Sequence, residues 1–77
     1  MTTITSMGIK LIRISRTNPI IIEISDNAGI SWNVRYSGSQ EVGEFYALTR
    51  RGEIIFALTS TGTFRSVDAG AYWMKTS

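Results

Sequence analysis

Hydrophobic and polar residues alternate with a period of two along most of this chain. In the stretch Ile30-Ser31-Trp32-Asn33-Val34-Arg35-Tyr36, the residues Ile30, Trp32, Val34 and Tyr36 fall on one side and Ser31, Asn33 and Arg35 on the other. Ile20, Ile22 and Ile24 likewise oppose Ile21, Glu23 and Ser25. This is the signature of half-buried β-strands. In Glu53-Ile54-Ile55-Phe56-Ala57-Leu58-Thr59 both sides are apolar, Ile54, Phe56 and Leu58 against Ile55 and Ala57. A strand of that kind is expected to lie between two layers. Helical periodicity is confined to stretches of about two turns. Of the 77 residues, 11 are Ile, 3 Val and 9 Thr. Such β-branched side chains suit a pleated surface better than a helix.

Turn signals cut the pattern at short intervals, at Thr17-Asn18-Pro19, Arg50-Arg51-Gly52 and Ser60-Thr61-Gly62. The longest break, Ser37-Gly38-Ser39-Gln40-Glu41-Val42-Gly43, predicts a linker over 37–43 between halves 1–36 and 44–77. The halves resemble each other. Leu11-Ile12-Arg13-Ile14-Ser15 aligns with Ile55-Phe56-Ala57-Leu58-Thr59 at an offset of 44. Ser25 to Trp32 aligns with Ser66 to Trp73 at an offset of 41, the difference being three extra residues around Pro19 to Ile21. The expected strands span 2–7, 9–15, 20–25 and 30–36, then 45–50, 53–59, 63–66 and 71–75. Four antiparallel strands per repeat of about 40–45 residues is the period of a β-propeller blade.

Two octapeptides carry the repeat: Ser25-Asp26-Asn27-Ala28-Gly29-Ile30-Ser31-Trp32 and Ser66-Val67-Asp68-Ala69-Gly70-Ala71-Tyr72-Trp73. Both fit S-x-[D/N]-x-G-x-x-W and resemble the Asp box, or BNR repeat, of sialidase-like propellers. The first box departs from the pattern with Asn27 at the Asp position and Ser31 before the Trp. The resemblance implies an all-β chain of two four-stranded antiparallel blades, completed by oligomerisation. It also implies that the box is a structural turn. Asn27 and Asp68 can accept hydrogen bonds from turn N–H groups, and Ser25 and Ser66 can tie the turn back. Gly29 and Gly70 permit a left-handed backbone, and Trp32 and Trp73 can cover the turn.

Composition narrows the functions. With no Cys and no His, disulfides, thiolate metal sites and the usual general base are excluded. One carboxylate or amide per box is too few for calcium, so no metal or cofactor is expected. The net charge of +2 comes without a dense Lys/Arg cluster, which argues against nucleic acid. No apolar run reaches the roughly 20 residues of a membrane span. The opening Met1-Thr2-Thr3-Ile4-Thr5 lacks the pattern of a signal peptide, which sets the expectation at the cytoplasm. Sialidase chemistry needs three converging Arg, a Tyr–Glu pair and an acid within a complete propeller. Nothing in the sequence groups three of the six Arg.

The expectation is therefore a non-catalytic, oligomeric binding module, with carbohydrate as the leading ligand class. The alternative is a structural subunit or fragment of a larger sialidase-like assembly. Ligands of Asp-box propellers usually approach the end away from the boxes, which marks Arg16, Asn18, Tyr36, Gln40, Glu41 and Glu44 as candidates. Two blades leave apolar faces uncovered. Among rings of two-blade chains, six blades from three chains fits the resemblance best, so a homotrimer is expected. Should the chain stand alone, its halves should pack face to face with Ile12, Ile14, Ile55 and Ala57 inside.

Overall fold

The computed structural model describes residues 4–38 and 41–76, all of them strand, turn or irregular backbone. Among the described residues eight strands occur in chain order: β1 (Ile4–Met7), β2 (Lys10–Ile14), β3 (Ile21–Ser25), β4 (Asn33–Ser37), β5 (Phe45–Arg51), β6 (Ile54–Thr59), β7 (Gly62–Ser66) and β8 (Met74–Lys75). They form two four-stranded antiparallel sheets, ordered β1-β2-β3-β4 and β5-β6-β7-β8. Every strand pairs only with its neighbours in sequence. The fold is thus all-β, as the alternation and the β-branched content predict. Among the described residues no helix is long and apolar enough to cross a membrane.

The two sheets pack against each other through one face each. The first contributes Ile12, Ile14 and Ile22, with Ile24 and Tyr36 against them. The second contributes Phe45, Leu48, Ile55, Ala57, Phe64 and Trp73. Register explains this membership, since directly opposed residues share a face. Ile12 is opposite Ile24 and Ile14 opposite Ile22, while Ala57 is opposite both Leu48 and Phe64. All four residues expected inside a face-to-face pair, Ile12, Ile14, Ile55 and Ala57, are buried. Each such side chain contributes roughly 1.5–3 kcal/mol by leaving water.

The sheets are not evenly spaced. β5 lies against β1 and β2, whereas β4 and β8, at the far edges, face each other across an open cleft. The pair is therefore a wedge, closed along β1 and β5. The linker fastens it. Val42 is buried in the core, and the Thr61 hydroxyl lies within reach of the carbonyls of Glu41 (2.8 Å) and Val42 (2.9 Å), which share its one proton. The Phe45 amide donates to the Pro19 carbonyl at 2.8 Å, a direct tie between the halves.

Four expectations are corrected. The fourth strand begins at Asn33, not at residue 30, and the eighth at Met74, not at 71, because the octapeptides draw their last residues into the turn. Ile30 is consequently 85% exposed. Residues 30–36 do not present Ile30, Trp32, Val34 and Tyr36 on one face. A register shift between Ile22 and Glu23 places Tyr36 opposite Ile22, on the core side, and Val34 opposite Glu23, on the outer side. A bulge of this kind reverses side-chain parity along a strand. The linker starts one residue later, since Ser37 closes β4. Finally, the second strand begins at Lys10, not at residue 9, and Ile9 lies exposed in the turn between β1 and β2.

Truncating Ile12 to Ala should cost about 3 kcal/mol, because the residue is fully enclosed by both sheets. Ile30→Ala should change stability by less than about 0.5 kcal/mol. Urea denaturation of the two variants beside the wild type checks both values.

Candidate functional site

Two places in the molecule carry the chemistry singled out in the sequence: the pair of octapeptide turns, and the cleft between β4 and β8.

The turns are built alike, atom for atom. In the second, the Ser66 hydroxyl donates to Asp68 Oδ1 at 2.7 Å and accepts from the Gly70 amide at 2.8 Å. Asp68 Oδ1 accepts from the Tyr72 amide at 3.0 Å. In the first, Ser25 donates to Asn27 Oδ1 at 2.7 Å, the Gly29 amide donates to Ser25 at 2.8 Å, and the Ser31 amide donates to Asn27 Oδ1 at 3.0 Å. Only the oxygen of the Asx side chain is needed, so an amide serves where the other turn has a carboxylate. Asn27 adds a bond from its Nδ2 to the Ser31 hydroxyl at 2.7 Å. The backbone turns through two left-handed residues, Ala28 and Gly29 (φ 62° and 89°), then Ala69 and Gly70 (φ 63° and 90°). Positive φ at both central positions is the conformation of a type I′ turn. The alanines were not legible as left-handed from the sequence. They hold a conformation costing on the order of 1 kcal/mol, compensated by the side-chain bonds around them.

Surroundings distinguish the two turns. Gly70 and Trp73 are buried between the sheets, and a methyl added at Gly70 would lie 3.4 Å from Ile22 and 3.5 Å from Ile12. Trp73 packs at 5.2 Å from the Phe45 ring, which meets Tyr36 edge-on at 5.9 Å. Trp32 is on the outer side of the first sheet, covered by the Arg13 guanidinium at 3.9 Å. Arg13 is also paired with Glu23 at 2.8 Å. Burial pushes the Asp68 carboxyl up, but bonds from the Ser66 hydroxyl, the Tyr72 amide and its own amide, with the Arg35 charge, together hold it below its ordinary value. Arg35 Nη2 also donates to the Asp68 carbonyl at 2.9 Å, joining the first sheet to the second turn. Among the described residues no group of three His, Cys, Asp or Glu side chains could hold a metal.

The cleft has a volume of about 610 Å³ and is lined from both sheets and the linker. Tyr36 comes from β4, Glu41 and Val42 from the linker, Phe64 from β7, and Tyr72, Trp73, Met74 and Lys75 from the second turn and β8. Two of the six ligand candidates, Tyr36 and Glu41, thus meet there. The others lie elsewhere. Arg16 is exposed in the β2–β3 turn, where Asn18 serves as a cap, its Oδ1 accepting from the Ile20 amide and its carbonyl from the Ile21 amide. Glu44 is exposed, with its amide bonded to Ser60 Oγ. Gln40 lies outside the described residues. Sequence reasoning missed Phe64, Tyr72, Met74 and Lys75. Of these only Tyr72 lies within an octapeptide, at the end of the sheet that the resemblance turns away from ligands, and Phe64, Met74 and Lys75 carry no signal of a site in the sequence. Trp73 Nε1 and Arg35 Nε are buried and have no partner among the described residues.

No protein-family model, no curated protein and no solved structure matches this chain.

Asp68→Ala removes two bonds and should cost about 1 kcal/mol, in line with other lost side-chain caps. Asp68→Asn should be close to neutral at pH 7, since Asn27 makes the same bonds in the first turn. Because folding lowers the Asp68 pKa, its contribution is present above the unfolded carboxyl pKa and fades as pH falls through the folded one. The Asp68→Asn variant should therefore lose part of the acid limb of the stability curve. Gly70→Val should cost more than Asp68→Ala, through both φ and contact with Ile22. Added Ca²⁺ should leave melting temperatures unchanged, and a rise of several degrees would refute the turn-lock assignment.

Proposed function

We propose that this chain is a non-catalytic binding module of two Asp-box blades, taking carbohydrate in the cleft between β4 and β8. The observation that supports this most is the lining of the cleft. Tyr36, Phe64 and Tyr72 bring aromatic surface to one cavity, and Glu41 and Lys75 bring an acceptor and a donor of opposite charge. Aromatic rings can cover the apolar C–H face of a sugar, and charged groups can hydrogen-bond its hydroxyls. Tyr72 is 63% exposed, so its ring is accessible without rearrangement. The pairing of an apolar cavity with a few polar groups is that of small-molecule sites in general.

Support for the Asp-box reading comes from the equivalence of the two turns. Two separate stretches make the same three side-chain bonds at the same spacing, and the Gly of each is left-handed. The wedge of the sheets agrees with blades converging on an axis near β1 and β5. In that reading copies of the chain complete a ring, with three chains and six blades the favoured number. The chemistry at the cleft supports a non-catalytic role. Among the described residues that line it Glu41 is the one acidic group, and glycoside hydrolysis ordinarily requires two carboxyl groups flanking the scissile bond. A purely structural subunit is the second reading, favoured by the exposed Leu58 on the outer side of the second sheet.

Glycan-array screening of the full chain, followed by calorimetric titration of the best oligosaccharide, tests the proposal. Tyr72→Ala and Glu41→Gln should each weaken binding about tenfold, a change of about 1.4 kcal/mol, without altering the fold. A fluorogenic sialoside should remain intact. Absence of any glycan binding would remove the carbohydrate reading. Hydrolysis that disappears on replacing one Arg would remove the non-catalytic one.

A further inference from the structure

The two sheets do not meet through equivalent faces. Sheet 1 uses the side carrying Ile12, Ile14 and Ile22. By the repeat alignment, the equivalents of these residues in sheet 2 are Phe56, Leu58 and Thr63. Those three point outward, where Leu58 is 45% exposed. Sheet 2 instead uses the side of Leu48, Ile55, Ala57 and Phe64, whose equivalents in sheet 1 are Ile4, Leu11, Arg13 and Glu23. These too point outward. The internal contact is therefore heterologous: one face of a repeat unit meets the opposite face of the next. A chain of two such units ends with one unused face of each kind.

We propose that the outward face of sheet 2 receives the outward face of sheet 1 from a second copy of this chain, repeating the internal contact head to tail. Two further observations point to this occupant. First, the outward face of sheet 2 has a groove of about 290 Å³ lined by Thr49, Arg51, Phe56 and Thr63. Phe56 and Thr63 are the equivalents of Ile12 and Ile22, the residues against which Gly70 is seated inside the chain. The groove thus occupies the place where an octapeptide turn docks. The turn left over to fill it is the first one, with Gly29 against its own Leu11 and Trp32 on the outer side of sheet 1. Second, the internal contact is a wedge, so repeating it rotates each copy in the same sense, the geometry from which a ring of cyclic symmetry forms when the rotations sum to a full turn.

The outer face of sheet 1 is fitted for life in water before assembly. Where the internal contact has the apolar pair Ala57 and Phe64, this face has the ion pair of Arg13 and Glu23. Arg13 also shields Trp32. Exposed apolar side chains remain on both outward faces, Ile4 and Val34 on sheet 1 and Leu58 on sheet 2.

The inference deepens the assembly part of the proposed function and is independent of the ligand. Light scattering coupled to size exclusion, on the full chain at tens of micromolar, should give a whole-number multiple, above one, of the 8.6 kDa chain. On the sheet 2 side, Phe56→Asp or Leu58→Asp should reduce the particle to one chain. On the sheet 1 side, Ile4→Asp or Val34→Asp should do the same. Circular dichroism selects from each pair a variant that keeps its sheet signal. Leu58 and Val34 are exposed enough for that to hold. An equimolar mixture of one variant of each kind should form a particle of two chains and go no further, because each retains one competent face. Sheet 1 variants that keep the wild-type mass would overturn the head-to-tail pairing while leaving self-association standing, as would a mixture that stays at one chain. A wild type of one chain would overturn self-association as well.

Discussion

The contact of Ile12, Ile14 and Ile22 with the inner side of the second sheet is what the rest of the structure depends on. Neither sheet could be stable alone, since a four-stranded meander of about 35 residues has too little interior to offset its chain entropy. Docking gives both sheets a covered face at once. It also decides which octapeptide turn becomes interior. Gly70 is buried because Ile12 and Ile22 come down on it, and a larger residue there would hold the sheets apart. The same contact sets the wedge, and the wedge opens the cleft at β4 and β8.

The turns show how one sequence pattern yields two environments. Ser25 and Ser66 bond the same atoms, as do Asn27 and Asp68. One turn is nevertheless packed against isoleucines and the other lies beneath an arginine. Local geometry here is set by local bonds, whereas burial is set by which sheet happens to lie opposite.

That distinction also marks how much was legible in the sequence. The eight strands and the turns between them could be read from alternation and from Gly, Asn and Pro, because those signals act over a few residues. So could the spacing of Ser, Asx and Gly in each octapeptide. The side on which Tyr36 points could not, because a register shift beside Ile22 reverses it and leaves no mark in composition. Nor could the gathering of Tyr36 and Glu41 with Tyr72 and Lys75, since those residues meet only through the docking of the sheets. The two-sided apolar character of β6 was visible, but its meaning was split. Ile55 and Ala57 belong to the core, whereas Phe56 and Leu58 belong to an outer surface.

Because each strand pairs only with its sequence neighbours, the chain is wired entirely by short loops within each half. Closing such loops costs little entropy, and hairpins of this kind form in microseconds. The slow event in folding is then the meeting of the two halves, each only transiently formed before it, which brings together residues some 40 positions apart. Until that meeting occurs, Ile12, Ile22, Ile55 and Phe64 face solvent in every molecule. The half that reaches them first need not belong to the same polypeptide. A chain wired this way is a natural candidate for exchanging halves between molecules during refolding, and dilution rather than a slower temperature ramp is the variable that governs which outcome prevails.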